Sequence, residues 1–391
     1  MAITINMGTL PRARVLLASC LLAGLVIYTL FSALRPSHPP PAQSRPVAVE
    51  HTEPIPYGIS VFEFDNYQKH LVVPKTHTED VLWLTYFPPE LLITTKLYLV
   101  DADPETLPPG ALTTPMNKGH EVMAYLTYII DHYYALPDIT IFTHAHAAAW
   151  HNNDLQIAST PVMVLELNYH RVVRHGYMNL RCHWHPGCPA WINTTTTVME
   201  SIKKEAYFHA AFRELFPDDI VPPILASPCC AQFAVTRDTI RVHARERYIA
   251  WRRWIVETPL KDDVSGRVWE YLWQYVFPGP MRAASLETMA EACPEPHVCY
   301  CDGYGYCFGG AEAYRMHIAR RERAEDLRSR LRMAEEDKTA VDDHWRREGM
   351  ARVRAEIKAL DDECEAEVVR AKIRGKNEAL RRKELGSEFS G

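Results

Sequence analysis

Short apolar segments alternate with longer amphipathic ones through the middle of the chain, and the alternation predicts strands and helices in turn. The segments with the length and apolar content of buried strands are VLWLTYF (81–87), KLYLV (96–100), ITIF (139–142), PVMVLEL (161–167) and QFAV (232–235). Apolar residues three to four positions apart predict helices over 119–136 and over the aromatic segment 267–277. Strand, helix and strand in succession indicate βαβ units, so the predicted fold class is α/β, with a mainly parallel sheet flanked by helices.

The N-terminal pattern is different from that of the middle. Residues 15–34 are twenty residues without a charge, long enough as a helix to cross a hydrocarbon core of roughly 30 Å. Small residues are poorly placed for a signal-peptidase site, which favours an uncleaved transmembrane anchor, while a cleaved signal peptide stays the alternative. Residues 1–14 contain basic but no acidic side chains, so they are expected in the cytosol and the bulk of the chain in the lumen. A proline-rich stalk, 35–56, follows.

The C-terminal pattern changes once more at residue 311. Residues 311–391 contain no proline and many charged, strongly helix-forming side chains. They predict a charged helical or loosely coiled-coil tail that is able to self-associate, or a solvated helical extension without chemistry. The globular α/β domain is therefore placed at 57–310.

Composition and charge exclude some classes of function. With 47% apolar residues in 391, the chain can fold around its own core without a metal or disulfide to hold it. The net charge of −6 gives no indication of a nucleic-acid partner. G-x-S-x-G, P-loop and G-x-G-x-x-G motifs are absent, which argues against the corresponding hydrolases, ATPases and dinucleotide enzymes.

Cysteine spacing indicates disulfides and an oxidising compartment. Cys182 and Cys188 flank HWHPG, a small loop that a disulfide between them is able to close. A second group has the spacing C-x5-C-x-C-x5-C, which lacks the CxxC pairs typical of zinc sites and predicts two disulfides of open connectivity. The cysteines of this group are Cys293, Cys299, Cys301 and Cys307.

Two further features bear on the compartment. Cys229 and Cys230 are adjacent and are expected to pair elsewhere or to stay buried. Asn193 begins the chain's only N-glycosylation sequon. Together with the apolar N-terminal segment, these features predict a single-pass protein of the endoplasmic reticulum or Golgi membrane with its main domain in the lumen.

The stretch FTHAHAAAWHNND (142–154) places polar side chains directly after a predicted strand. In open α/β sheets ligands bind at this carboxyl edge. Imidazoles near a carboxylate suit zinc or manganese. Three interpretations remain open: a metal held by His144, His146 and His151, a polar ligand contacted without metal, and a structural loop. The ligand-binding candidates in this stretch are Thr143, His144, His146, His151 and Asn152.

The predicted helix over 119–136 starts at the same edge. Asn117, Lys118 and Gly119 precede it, and free N–H groups at a helix start together with a lysine suit a phosphate; an Asn-capped loop is the structural alternative. Glu121 in the first turn either reaches a ligand or only complements the helix dipole.

Two other carboxylate sites are candidates. Asp101 and Asp103 end the strand 96–100 in an Asp-x-Asp pattern that suits a divalent ion on a diphosphate, with an ordinary turn as the alternative. Glu270 lies among aromatic residues, a setting that raises the pKa of a carboxyl and suits a catalytic base. An ion pair with Arg267 is the structural alternative.

Several long blocks resemble the fungal members of an uncharacterised "domain of unknown function" family, over roughly 80–307. The blocks are MNKGHE, YLTYIIDHY, LPDITIFTHAH, AWHNND, CCAQFAVTRDTIR and GRVWEYLWQYVF, followed by the cysteine motif. The resemblance implies an N-terminal membrane anchor and no established activity. More distantly, the family is similar to glycosyltransferases of the GT-A, Rossmann-like type. THAH stands where such transferases keep a carboxylate pair, which leaves metal dependence open.

The leading functional hypothesis is a glycosyltransferase-like enzyme. It would bind a sugar nucleotide along the carboxyl edge, with the diphosphate near Lys118 and Glu270 as the base. A non-catalytic lumenal scaffold and a histidine-based metal-dependent hydrolase are the alternatives. The cofactor, if any, is expected to be Mn²⁺ or Zn²⁺.

Overall fold

A computed structural model describes residues 60–386, apart from 64, 104, 106, 108–109, 199–202, 278–292 and 338–343. The predicted anchor (15–34) and stalk (35–56) lie outside the described residues. Within the described ranges, no helix combines the length and the apolar character needed to cross a membrane.

The strands are β1 (Lys69–Lys75), β2 (Ile93–Leu99), β3 (Leu112–Thr113), β4 (Ile139–Phe142), β5 (Tyr177–Asn179), β6 (Ile192–Asn193), β7 (Ile224–Leu225) and β8 (Phe233–Thr236). Six of them form one sheet in the order β3-β2-β1-β4-β8-β5. The first four are parallel, with Lys69 of β1 aligned to Ile93 and Ile139. Strand β8 runs antiparallel to both neighbours, and β6 pairs with β7 separately. The prediction of an α/β fold with a mainly parallel sheet is confirmed.

The α-helices of the described ranges are α1 (Glu121–His132), α2 (Thr160–Glu166), α3 (Tyr169–His175), α4 (Phe208–Leu215), α5 (Arg237–Ile240), α6 (Arg245–Glu257), α7 (Asp262–Glu270), α8 (Trp273–Val276), α9 (Pro296–Tyr304), α10 (Ala311–Glu336), α11 (His344–Lys376) and α12 (Glu378–Leu385).

The core has two parts, one on each face of the sheet, because successive side chains of β1 point to opposite faces. Val72 packs with α1, α6, α7 and α8 on one face. Leu71 and Val73 pack with α2, α3 and α9 on the other.

Strand β1 is the central parallel strand, and the periodicity of its sequence did not predict it. Pro74 is unusual there, since proline donates no ladder hydrogen bond. The register explains how it fits. Pairing with β4 covers only Lys69–Val72, so Pro74 lies beyond that ladder and has a strand neighbour on one side only, β2.

The prediction of a strand over 81–87 was wrong, because Leu82–Tyr86 forms a 3₁₀ helix. Local side-chain bonds favour the turn: Asp80 accepts the Leu82 N–H at 2.8 Å, and the Thr85 hydroxyl donates to the Leu82 carbonyl at 2.8 Å. Trp83 anchors it by donating its indole N–H to the Ala145 carbonyl at 2.6 Å.

The prediction of a strand over 161–167 was also wrong, because α2 occupies Thr160–Glu166. Ser159 is its N-cap and accepts the Val162 N–H, and Pro161 stands in the first turn. Both residues are typical of helix starts. The apolar run is buried throughout, so hydrophobicity alone does not distinguish the helix from a strand.

The disulfide partners correct two predictions. Cys182 and Cys188 do not close a small loop together, since they pair with Cys299 and Cys293 across the fold. Helix α9 carries Cys299 onto the sheet face that holds Cys182, which spacing along the chain does not reveal. Of the C-x5-C-x-C-x5-C group, only Cys301 and Cys307 pair within the group.

Cys229 and Cys230 were expected to pair elsewhere or to stay buried. They pair with each other, and Cys229 is buried while Cys230 is partly exposed. The backbone makes this possible by placing Cys230 at φ 84°, in the left-handed region.

In the part of the C-terminal region that the structure describes, the chain forms three charged helices that pack on the domain. Helices α10 and α11 run antiparallel, with Arg328 bound to Asp361 at 2.5 Å. Lys372 of α11 forms an ion pair with Glu166, which is 1% exposed at the end of α2. The α11 backbone also meets the domain, since Gly375 packs directly on the Gly305 carbonyl. The tail therefore shares a buried surface with the α/β domain.

Candidate functional site

The carboxyl ends of the parallel strands meet the start of β8, and most of the predicted site residues gather there. Thr143 and His144 follow β4, and Gln232 precedes β8. Glu121 begins α1, and Glu270 ends α7 on the same face of the sheet. The edge therefore brings together side chains from four separate parts of the chain.

Gln232 fixes the histidine loop. Its side-chain carbonyl accepts the Thr143 hydroxyl at 2.7 Å and the His144 N–H at 3.4 Å. Its amide N–H₂ donates to Asn152 Oδ1 at 2.9 Å and lies 3.2 Å from His151 Nδ1. These hydrogen bonds are buried, because Thr143, Asn152 and Gln232 are all buried. Thr143 and Asn152 therefore act as structural residues that hold the loop in place.

The His144 and His151 rings pack edge to face with centroids 4.9 Å apart. Burial lowers the pKa of His144 to about 4, and the neighbouring His146 adds to the effect. Burial lowers the pKa of His151 to about 3, helped by His144. Both imidazoles are therefore neutral at physiological pH, the form that accepts a proton or binds a metal.

His146 takes no part in this ring contact. Its side chain is exposed, and Nε2 lies 3.5 Å from Glu79 Oε1. Within the described residues, donor atoms of His144, His146 and His151 do not come within 4.8 Å of one another as a set of three. In this structure the three imidazoles therefore do not form a single cluster of donor atoms at the edge.

Glu270 is held by two donors at the centre of the site. The Cys230 N–H donates to Oε1 at 2.8 Å, and Arg267 donates to Oε2 at 2.5 Å. Burial raises the pKa of Glu270, while the Arg267 charge and the Cys230 N–H oppose the increase. The ion pair with Arg267 that the sequence left as an alternative is present. It leaves a mostly buried carboxylate whose charge is partly balanced.

Glu121 is the second carboxyl of the site. Burial, together with a smaller contribution from the negative charge of Glu270, raises its pKa to about 8. Arg267 opposes this through its charge. A carboxyl with this pKa carries its proton at neutral pH and is able to donate it.

The segment before α1 is bound to protein groups. The Lys118 ammonium donates to the carbonyls of Val256 at 3.3 Å and Thr258 at 2.6 Å. Gly119 has φ +77° and donates its N–H to an Asp262 carboxylate oxygen. Asn117 is exposed beside them. In this conformation a protein carboxylate therefore takes the anion position at the start of α1.

The Asp-x-Asp residues lie farther along the same edge. Asp101 accepts the His77 N–H at 3.0 Å and contacts its imidazole, and these bonds lower the pKa of Asp101. Asp103 accepts the Glu105 N–H at 3.0 Å in a local turn.

The predicted glycosylation site, Asn193, is exposed on β6, and its side chain accepts the Thr195 hydroxyl at 2.7 Å.

Sequence reasoning missed three residues of the site. Gln232, Asp262 and Glu79 act through partners distant in sequence, such as Asp262 on Gly119. The block CCAQFAV carried one available signal, because a glutamine directly before a buried strand lies at the same edge as the histidines. Asp262 and Glu79 had no local signal of this kind.

The arrangement is suited to proton transfer. It combines a protonated carboxyl (Glu121), a carboxylate with two donors (Glu270) and a neutral imidazole (His144) in a partly buried edge. Neighbouring groups whose surroundings perturb their pKa values in this way are typical of acid–base sites.

Comparison with known proteins gives a family. Residues 71–302, more than half of the chain, match the family described as "Protein of unknown function (DUF3431)". No curated protein and no solved structure matches the chain.

Proposed function

The chain belongs to the DUF3431 family, and we propose that it is an acid–base enzyme of the glycosyltransferase type, which transfers a sugar from a nucleotide donor to a hydroxyl group. The observation that carries the proposal is the pair formed by Glu121 and Glu270. One carboxyl has a pKa of about 8, and the other is held by Arg267 and the Cys230 N–H. The two groups therefore suit opposite roles.

Glu270 is the general base. The acceptor hydroxyl gives its proton to the Glu270 carboxylate as its oxygen attacks the anomeric carbon of the donor. The bond between that carbon and the phosphate oxygen breaks, and the leaving diphosphate takes the electron pair. One positioned base of this kind contributes about 10²–10⁴-fold to the rate.

Glu121 and the imidazoles stabilise the leaving group. The protonated Glu121 donates a hydrogen bond to the departing phosphate oxygen, an electrostatic contribution that costs little reorganisation. Because Lys118 and Gly119 are bound to protein acceptors, the diphosphate is assigned to the side of the edge lined by His120, His144 and His146. Whether Mn²⁺ assists by binding the diphosphate is examined by adding or omitting Mn²⁺ in the screen.

The proposed setting is the lumen of the endoplasmic reticulum or Golgi, with residues 15–34 as a single membrane anchor. The four disulfides among the described residues support an oxidising compartment. The exposed Asn193 is accessible for glycosylation. Self-association through the C-terminal helices stays a prediction, and it would use the faces of α10 and α11 that do not pack against each other.

A thermal-shift screen tests the function. The full-length protein in detergent is heated with a panel of nucleotide sugars, with and without Mn²⁺. One donor is expected to raise the melting temperature, because a ligand at 100 times its Kd adds about 2.7 kcal/mol of stability. His146→Ala should reduce the shift, whereas His209→Ala, an exposed histidine on α4, should not.

Absence of a shift with every nucleotide sugar, in both metal conditions, would contradict the proposal. The non-catalytic scaffold would then be the better hypothesis. A shift that His146→Ala and His209→Ala leave equally large would place the donor away from the carboxyl edge.

A further inference from the structure

The disulfide between Cys229 and Cys230 lies directly beside Glu270. The Cys230 N–H donates to Glu270 at 2.8 Å, and donor atoms of Cys229, Cys230 and Glu270 all lie within 4.8 Å of one another. The acid–base reaction proposed above uses neither sulfur. Two thiolates and a carboxylate at this spacing form a donor set for a thiophilic divalent cation such as Zn²⁺.

Access distinguishes this disulfide from the others. Among the eight bridged cysteines in the described ranges, seven are buried and Cys230 alone is partly exposed. Thiol–disulfide exchange requires an attacking thiolate to reach a sulfur. A thiol reductant therefore reaches Cys230 first while the chain remains folded.

The backbone at this disulfide is in an unfavourable conformation. Cys230 and Ala231 have φ values of 84° and 48°, a region that side chains other than glycine rarely adopt. Opening the disulfide removes a covalent restraint on Cys230. The freed Cys230 side chain is then able to adjust towards a shared ligand.

His144 supplies an independent observation. Its Nε2 atom is buried and has no hydrogen-bond partner among the described residues. The Cys230 backbone lies beside the same imidazole ring. A buried ring nitrogen without a partner is a suitable additional ligand for Zn²⁺, which takes four nitrogen, sulfur or oxygen donors. His144 is not among the donors that already lie within 4.8 Å of one another, so it completes the set only after the freed cysteine side chains move towards it.

We infer that Cys229, Cys230 and Glu270, with His144 as the fourth donor, form a redox-gated binding site for a thiophilic divalent cation. A reductant thiolate attacks Cys230 Sγ and Cys229 leaves as a thiolate. A second reductant thiol then releases Cys230. The protein gains two electrons and two protons, and the reductant becomes a disulfide. Zn²⁺ displaces the two thiol protons and binds both sulfurs. The inference does not depend on the transferase proposal, because it concerns metal binding alone.

The first measurement follows reduction. Full-length protein is treated with limiting dithiothreitol, and the free thiols are alkylated and mapped by mass spectrometry. Cys229 and Cys230 should be labelled before Cys301 and Cys307. The latter pair forms a similar group with Glu384, but both cysteines are 0% exposed. Earlier labelling of any other disulfide would overturn the inference.

The second measurement follows the metal. Zn²⁺ is titrated into oxidised and selectively reduced protein against a chromophoric chelator. The reduced protein should bind one more tight Zn²⁺ than the oxidised protein. The Cys229→Ser/Cys230→Ser variant should lack this ion, and Glu270→Gln should bind it at least about ten-fold more weakly. Cys364→Ser, which removes a free cysteine on α11, serves as the control and should retain it.

If circular dichroism shows that the double variant does not fold, the single variant Cys229→Ser is titrated with Zn²⁺ in its place. It leaves a single thiol at the site and should also lack the additional ion. Reduced wild-type protein that binds no additional Zn²⁺ would overturn the inference. So would a cysteine variant that binds the ion as tightly as the wild type.

Discussion

At the scale of single residues, the site separates into side chains that hold the loop and side chains suited to chemistry. Gln232 binds Thr143, His144 and Asn152, so the loop keeps its place without help from a ligand. Glu121 depends instead on burial and on the charge of Glu270, which together raise its pKa. Chemistry at this edge therefore depends on the electrostatics of a few carboxyls.

Glu121→Gln should change how stability varies with pH. The pKa of Glu121 is 4.5 ordinarily and about 8 in the fold, so between these values the folded state retains a proton that the unfolded state has lost. In the wild type, Glu121 makes its full contribution to the free energy of unfolding below pH 4.5, and this contribution is lost as the pH rises to about 8. The melting temperature of the variant, relative to wild type, should therefore increase across this window and then level off.

The matched control is Glu257→Gln at the exposed end of α6. Its melting temperature relative to wild type should not follow the same course. A flat difference between Glu121→Gln and wild type from pH 4.5 to 8 would show that the carboxyl is not perturbed.

The sequence was sufficient for some residues of the site and not for others. The places of Glu121 and His144 at the edge could be predicted, because a helix start and a strand end are revealed by local periodicity. Glu270 was selected instead for its aromatic neighbours, inside a predicted helix over 267–277. Gln232 and Asp262 bind partners 89 and 143 positions away, and a single sequence carries no record of such contacts. The assignment of Lys118 to phosphate stays a prediction, and in the structure its ammonium is bound to two carbonyls.

At the scale of elements, strongly periodic segments were predicted well. Helix α1 and strand β4 are found where the pattern placed them. Segments 81–87 and 161–167 were assigned the wrong type, because Asp80 and Ser159 stabilise local turns that hydrophobicity does not show. Burial on both faces removes the alternation that would identify a short strand.

Helix α11 is expected to stabilise the domain through one ion pair. Lys372→Met would leave the buried Glu166 carboxylate without its cation, although Gln156 and Tyr306 still donate to it at 3.0 and 2.7 Å. The expected loss is about 2–3 kcal/mol in the free energy of unfolding. Urea denaturation followed by circular dichroism measures it.

Two further variants complete this test. Lys376→Met on the same helix is exposed and should change the free energy of unfolding by less than about 0.5 kcal/mol. Adding Glu166→Gln to Lys372→Met should restore much of the loss, because the uncompensated charge is then removed. Equal stability of Lys372→Met and wild type would mean that this ion pair does not stabilise the domain.

At the scale of the whole molecule, disulfides and helices connect distant parts of the chain. Cys182–Cys299 and Cys188–Cys293 join residues 117 and 105 positions apart. These links attach α9 and the segment before it to the sheet that carries the site. Their pattern could not be obtained from spacing, because several pairings of the cysteines were equally compatible with the sequence.

In the proposed reaction, Glu270 and Glu121 act as base and acid on a nucleotide sugar. Its most direct test is the pH dependence of nucleoside diphosphate release by full-length protein, supplied with the donor that gives the largest thermal shift and a panel of sugar acceptors. Wild type, Glu270→Gln, Glu121→Gln and the control Glu257→Gln are compared under the same conditions.

Glu270→Gln should lower the rate by about 10²–10⁴-fold, and Glu257→Gln should leave it unchanged. The wild-type rate should fall as the pH rises through about 8, where Glu121 loses its proton, and Glu121→Gln should abolish that decline. Nucleoside diphosphate release as fast in Glu270→Gln as in the wild type, or no release with any donor and acceptor, would contradict the proposed acid–base reaction.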